Sequence, residues 1–330
     1  MQKINYLFML MMIISVNSYA DNKIPIEKLV CYGESTGIDI SPDGKFYAAL
    51  IPSGEVSCDI TTPEEDVAVP ILVVVNLETM ETKQYSGTKI NSRVDRASFL
   101  NNETLLINRS CARGAGTSGT VDCYTLYGLN VITGKTEPLI QAKQTKSGQG
   151  IRYPRLFDSM PQFPNKIIIT LNRMPQYPGR FRDLYWLDLE TKRTTKIAEV
   201  PNIQDEQFGS WLVDHDGIAR GFTTSHDRNK DYKPNSDKDG LFTYVYLMDP
   251  DTQQYSRMTQ CRHQEPCFMP LDFDFDNRFL FGVGQAVLPD GSLDPDWEYT
   301  DTNALWLYDT KDKKYVEKVF HDPKFDFSNP

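Results

Sequence analysis

The chain has 330 residues, a net charge of -10 and a pI near 5.0. It carries no basic stripe of the kind that neutralises phosphates, which excludes nucleic acid as a partner. Its length admits one large domain or two ordinary ones, and its acidity serves solubility.

Residues 1–20 read as a secretory signal peptide: Lys3, an apolar run at 6–16, then Ser18 and Ala20 ahead of Asp21. The run is shorter than the ~20 residues of a membrane span. A retained N-terminal anchor is the alternative; no Cys follows the cleavage point, against a lipoprotein. No other stretch is long and apolar enough to span, so an exported chain, periplasmic or secreted, is expected.

Residues 21–35 form a linker. It runs into GESTG at 33–37, which matches the G-x-S-x-G nucleophile pattern with Ser35 at its centre. That pattern works where a strand-to-helix elbow aims backbone N–H groups at an oxyanion. Here IDISPDGKFYAAL follows, a hairpin turned at Pro42 and Gly44. Ser35 is therefore read as a linker residue, and no catalytic residue is assigned.

From residue 36 one unit repeats about every sixty residues, the mark of a repeat architecture. Its closing phrase is an apolar strand, Asn or Asp, a polar turn and a short second strand. The phrase appears as ILVVVNLETMETKQY, LYGLNVITGKTEPL, LYWLDLETKRTTKI, VYLMDPDTQQYSRM and LWLYDTKDKKYVEKV, with its marker at Asn76, Asn130, Asp188, Asp249 and Asp309. A second hairpin precedes each phrase. Strand, turn, strand, long loop, strand, turn, strand makes a four-stranded antiparallel unit, and helical periodicity is almost absent. Runs such as ILVVV suit strands buried on both faces. The expected fold is all-β: a β-propeller of four-stranded antiparallel blades, with blades at roughly 36–87, 93–142, 151–200, 207–260 and 267–320 and the start of a sixth at 321–330. A stack of β-sandwiches is the rival. The long loops between middle strands would share one rim, where function usually resides.

Within the second unit, GAGTSG at 114–119 matches a dinucleotide fingerprint, but a strand follows it where a helix is needed. In the fourth unit, DRNKD at 227–231 starts like a calcium loop, yet Tyr232 and Lys238 stand where Gly and Glu belong. No cofactor or metal is expected. His215, His226, His263 and His321 are read as surface residues, and Tyr185, Trp186, Trp306 and Tyr308, which share a repeat slot, as core.

The cysteines are Cys31, Cys58, Cys111, Cys123, Cys261 and Cys267. An even count in an exported chain suggests disulfides, with 15 connectivities open. Proximity favours Cys31–Cys58, Cys111–Cys123 and Cys261–Cys267. A metal site would want Cys-x-x-Cys or Cys/His spacing, and only His263 beside Cys261 comes near.

ISPDGKFYAAL, DLYWLDLETKR, SWLVDHDGIARG and DTNALWLYDTKDKKYVEKVFHDPKFD, in this order over roughly 36–330, resemble the propeller of exported bacterial serine peptidases of the prolyl oligopeptidase family. In that family a propeller precedes an α/β-hydrolase domain with the Ser, Asp and His of catalysis, and it limits access to peptides. The resemblance implies a non-catalytic, substrate-gating propeller whose hydrolase domain is absent, the chain stopping inside its repeat array. An acidic pair grips the substrate amino terminus in some relatives; Asp205 and Glu206 are not assigned to it. A stand-alone propeller holding a peptide or protein partner, and an enzyme with chemistry on the rim, are the alternatives.

Overall fold

The computed structural model describes residues 36–52, 70–85, 92–111, 125–144, 151–172, 182–203, 206–227, 241–262, 267–299 and 302–325. The signal segment, Ser35, GAGTSG and most of DRNKD lie outside these residues, as do the loops at 53–69, 112–124, 173–181 and 228–240.

Five four-stranded antiparallel sheets follow one another along the chain, each in simple up-and-down order. Sheet one holds β1 (Thr36–Ile40), β2 (Phe46–Pro52), β3 (Pro70–Asn76) and β4 (Thr82–Tyr85). Sheet two holds β5 (Ser92–Phe99), β6 (Thr104–Cys111), β7 (Leu126–Asn130) and β8 (Thr136–Ile140). A small ribbon, β9 (Lys143–Gln144) with β10 (Ile151–Arg152), leads to sheet three: β11 (Pro154–Asp158), β12 (Lys166–Asn172), β13 (Arg182–Asp188) and β14 (Thr194–Ala198). Sheet four holds β15 (Gln207–Val213), β16 (Ala219–Asp227), β17 (Leu241–Met248) and β18 (Tyr255–Arg262). Sheet five holds β19 (Phe268–Phe273), β20 (Phe279–Gly284), β21 (Ala304–Asp309) and β22 (Lys314–Phe320). No helix occurs among the described residues.

Side chains on a strand alternate between faces, and here both faces are used. On β12, Ile167 and Ile169 pack against sheet two while Ile168 packs against sheet four, and all three are fully buried. On β6, Leu105 and Ile107 face sheet one and Leu106 faces sheet three. Phe222 of sheet four turns to sheet three, whereas Val245, Leu247 and Met258 turn to sheet five. Four apolar cores therefore lie between consecutive sheets, the face-to-face stacking of propeller blades. Among the described residues no core cluster joins sheet five to sheet one.

The five marker residues share one device. The side-chain oxygen of Asn76, Asn130, Asp188, Asp249 or Asp309 accepts the backbone N–H groups two and three residues ahead. Four residues after each marker the backbone turns left-handed, at Met80, Gly134, Lys192, Gln253 and Lys313. An Asx turn closed by a residue with positive φ is thus what the repeated phrase encodes.

Not every long connection is a free rim. The segment 285–299 folds back on sheet five: Trp297 meets Trp306 edge to face at 5.1 Å. Val287 donates its N–H to the Tyr315 hydroxyl at 3.1 Å, and that hydroxyl donates to the Val287 carbonyl at 3.0 Å. Burial pushes the Tyr315 phenol above its ordinary range. The apolar stretch AV at 286–287 gives this connection a reason to leave solvent.

Candidate functional site

At the end of the short β1–β2-type hairpins, hydrogen bonds run from blade to blade. Asp39 accepts from the Phe99 N–H at 2.6 Å, and Asn101 donates to the Pro164 carbonyl at 3.0 Å. Gln162 donates to the His215 carbonyl, and the His215 N–H donates to Asn277 at 2.9 Å. His215 Nε2 lies 2.9 Å from the Phe273 carbonyl and therefore carries the proton. The ring stacks on exposed Phe275 at 5.1 Å. His215, read from sequence as a surface residue, is half-buried and ties sheet four to sheet five.

His321 bonds within sheet five. Its Nε2 is 2.9 Å from the Thr302 hydroxyl, which donates to the Asp322 carbonyl at 2.6 Å. Among the described residues, neither histidine contacts a carboxylate and a hydroxyl in the order an acyl-transfer triad needs. His226 lies on β16, and His263 is outside the described residues. Among the described residues no cluster of His, Cys, Asp and Glu has metal-binding geometry.

A dense polar cluster lies on sheet four, on the face turned to sheet three. Glu206 immediately precedes β15. Its carboxylate accepts the Thr224 hydroxyl, and the Tyr246 phenol at 3.0 and 3.1 Å. Arg257 Nη2 stands 3.8 Å from Glu206 Oε1, and its guanidinium lies over the Tyr244 ring at 4.4 Å. Thr224 pairs with Tyr244, and Phe222 pairs with Tyr246, which pairs with Arg257, so the register of β16, β17 and β18 puts the group on one face. Burial raises the Tyr246 phenol, Arg257 acts against this, and Glu206 adds to it. Burial works against the Arg257 charge, yet Tyr246, Tyr244 and Glu206 together raise its pKa.

Both Glu206 oxygens therefore have partners within the sheet. Asp205 lies outside the described residues, so the acidic pair is seen only through one member. Sequence reading missed Thr224, Tyr246 and Arg257 as its partners; the period-two alternations F-x-T at 222–224 and Y-x-Y at 244–246 were the available signal.

The described cysteine pair, Cys261 and Cys267, forms a disulfide with a Cα–Cα separation of 5.0 Å. It joins the end of β18 to the residue before β19, and so spans the crossover from sheet four to sheet five. Cys111 ends β6; Cys31, Cys58 and Cys123 lie outside the described residues.

No family model matches the sequence, and no curated protein matches it. Solved structures similar in fold include an oligogalacturonate lyase in complex with manganese (TM-score 0.44, 14% identity, 86% of this chain and 64% of that one). The β-propeller domain of the trilobed protease from Pyrococcus furiosus gives a TM-score of 0.42 at 11% identity, over 86% of this chain and 70% of that one. Dipeptidyl peptidase 4 from Porphyromonas gingivalis gives 0.42 at 13% identity, over 86% of this chain and 36% of that one. The chain thus spans less than two thirds of the lyase and about a third of the peptidase. The likeness is one of fold alone.

Proposed function

We propose that this chain is the non-catalytic, substrate-gating propeller region of an exported serine peptidase of the prolyl oligopeptidase type, working with an α/β-hydrolase domain. The observation that carries the reading is the chemistry of the two end sheets. On the outward face of sheet five, Met269, Val283, Leu305 and Phe320 form one row across all four strands, with Met269 43% and Phe320 50% exposed. On the outward face of sheet one, Ile51 pairs with Ile71, and Ile40 with Tyr47, which pairs with Val75; Ile40 is 53% exposed. Every other blade face is stacked on a neighbour. A further few hundred Å² of apolar burial per end, at about 25 cal/mol per Å², is worth on the order of 10 kcal/mol. The remaining blades of such a peptidase are the occupants this chemistry suits.

Export belongs to the same reading. It is supported by the apolar run at 6–16 and by the Cys261–Cys267 bridge, which suits an oxidising compartment. The alternative is a stand-alone exported propeller that holds a peptide or protein partner. The cross-blade ties at the short-hairpin end favour it, because they rigidify the stack without further blades.

A fluorophosphonate probe tests the non-catalytic part. The purified chain is expected to show no covalent adduct by intact mass and no release of amine from dipeptidyl or acyl-aminoacyl reporters. An adduct on Ser35 would overturn it.

A further inference from the structure

Sheet three carries two guanidinium groups that no acid among the described residues neutralises. Arg155 lies on β11 and Arg182 opens β13. Thr170 of β12 pairs with both Arg155 and Leu184, while Asn172 pairs with Arg182. Both arginines therefore project from the face that bears Ile168 and Leu184 and packs on sheet four.

The surroundings are built rather than loose. The Arg182 carbonyl accepts the Trp211 indole N–H at 2.9 Å, which fixes the start of β13 against sheet four. Arg155 stacks its guanidinium 5.3 Å from the centre of the Tyr153 ring, and the Tyr153 N–H donates to Asn172 at 2.8 Å. Arg155 is exposed and Arg182 half-buried. Yet Arg182 Nε is wholly buried and has no hydrogen-bond acceptor. Asp183, next in sequence, alternates to the opposite face, where it meets Lys196 at 3.6 Å and accepts the Val200 N–H at 3.1 Å.

A buried donor left unsatisfied is costly, and a second cation beside it adds repulsion. Burial, and then the Arg155 charge, hold the Arg182 pKa below its ordinary value, with Tyr153 acting in the other direction. An oxyanion reached by the outer guanidinium nitrogens offsets the repulsion between the two cations. A planar or tetrahedral oxyanion matches the guanidinium fork and accepts from two such groups at once.

We propose that Arg155 and Arg182 form a binding site for an oxyanion, a carboxylate or a phosphate, on the sheet-three face beside sheet four. Tyr153 positions Arg155, and the Trp211 bond positions Arg182. The site goes beyond the gating role and does not depend on a hydrolase domain.

Calorimetric titration of the purified chain in a chloride buffer tests this with three probes: inorganic phosphate, an N-acetylated tripeptide with a free C-terminal carboxylate, and the same tripeptide as its C-terminal amide. Saturable binding is expected for phosphate or for the peptide acid, with the amide at least about tenfold weaker than the acid. Phosphate alone identifies a free inorganic ligand, and the acid identifies a peptide carboxylate; either supports the site. The exposed Arg155→Gln variant should fold normally and lose about tenfold in affinity for the bound anion, and Arg182→Gln should lose at least as much. Failure of both anions to bind, or equal binding by the wild-type chain and Arg155→Gln, would overturn the proposal.

Discussion

Lys313 Nζ lies 2.8 Å from Asp249 Oδ2, joining the turn that closes sheet five to the turn that closes sheet four. Both residues belong to the same repeated device: Asp249 is a marker whose side chain caps its own turn, and Lys313 occupies the left-handed position of the next one. Lys192 repeats the arrangement two blades earlier, reaching Glu137 of β8 at 2.8 Å. A turn motif fixed by local hydrogen bonding thus also places a cation against the preceding blade.

The hydrogen bond from Lys313, followed by that from the Thr252 backbone, lowers Asp249 from 3.8 to about 2. A carboxyl whose folded pKa is depressed stabilises the fold above its unfolded value, and the contribution fades as pH falls through the folded one. Asp249→Asn keeps the turn cap and loses the charge. Urea unfolding from pH 6 downward should show the variant less stable at the upper end, with the two chains converging as pH approaches about 2. A constant difference across that range would separate the ion pair from the acid response.

Gly217 closes the β15–β16 turn with φ 77°, and a Cβ there would lie 2.1 Å from the Trp186 ring of sheet three. Gly217→Ala therefore combines a left-handed backbone with an overpacked blade junction. A loss of roughly 2–4 kcal/mol is expected in chemical unfolding. Trp186 fluorescence should change in the folded state as its ring is displaced.

Met80 has φ 59° and is 70% exposed, so its side chain contributes little to set against its strained backbone. At the equivalent turn position of sheet two the residue is Gly134. Met80→Gly should raise stability by about 0.5–1 kcal/mol, the relief of the left-handed conformation exceeding the added freedom of the unfolded chain. Lys313→Gly would lose the bond to Asp249 and should gain less. The midpoint of urea unfolding measures both.

Cys261 and Cys267 close a short loop across the crossover from sheet four to sheet five. Replacing both by Ala should cost about 2 kcal/mol if the bridge acts on the unfolded chain. Hydrogen exchange should show faster opening in β18 and β19 ahead of β12.

The sheets were legible because their signals are local. Asn76, Asn130, Asp188, Asp249 and Asp309 each bond to their own next residues, so the turn is written in a few consecutive letters. Ile167, Ile168 and Ile169 announce burial on two faces without further context. What joins one blade to another was not legible in this way. The partners of His215, at Asn277 and Phe273, lie one full repeat away, and nothing near His215 names them. Glu206 and Asp205 read as adjacent acids, but the filling of Glu206 by Thr224 and Tyr246 depends on strand register. Arg155 and Arg182 share a face only because β11 and β13 flank β12. The connection at 285–299 reads as polar loop because its Asp and Pro outnumber the few apolar residues that dock it.

Size-exclusion chromatography with light scattering on the purified chain tests the central claim most directly, because the gating reading rests on the apolar outward faces of sheets one and five. The expected result is self-association or aggregation, reduced when Met269 and Phe320 are replaced together by Ser and Lys. A monodisperse monomer that unfolds cooperatively, unchanged by those substitutions, would contradict the account and favour a self-sufficient binding propeller.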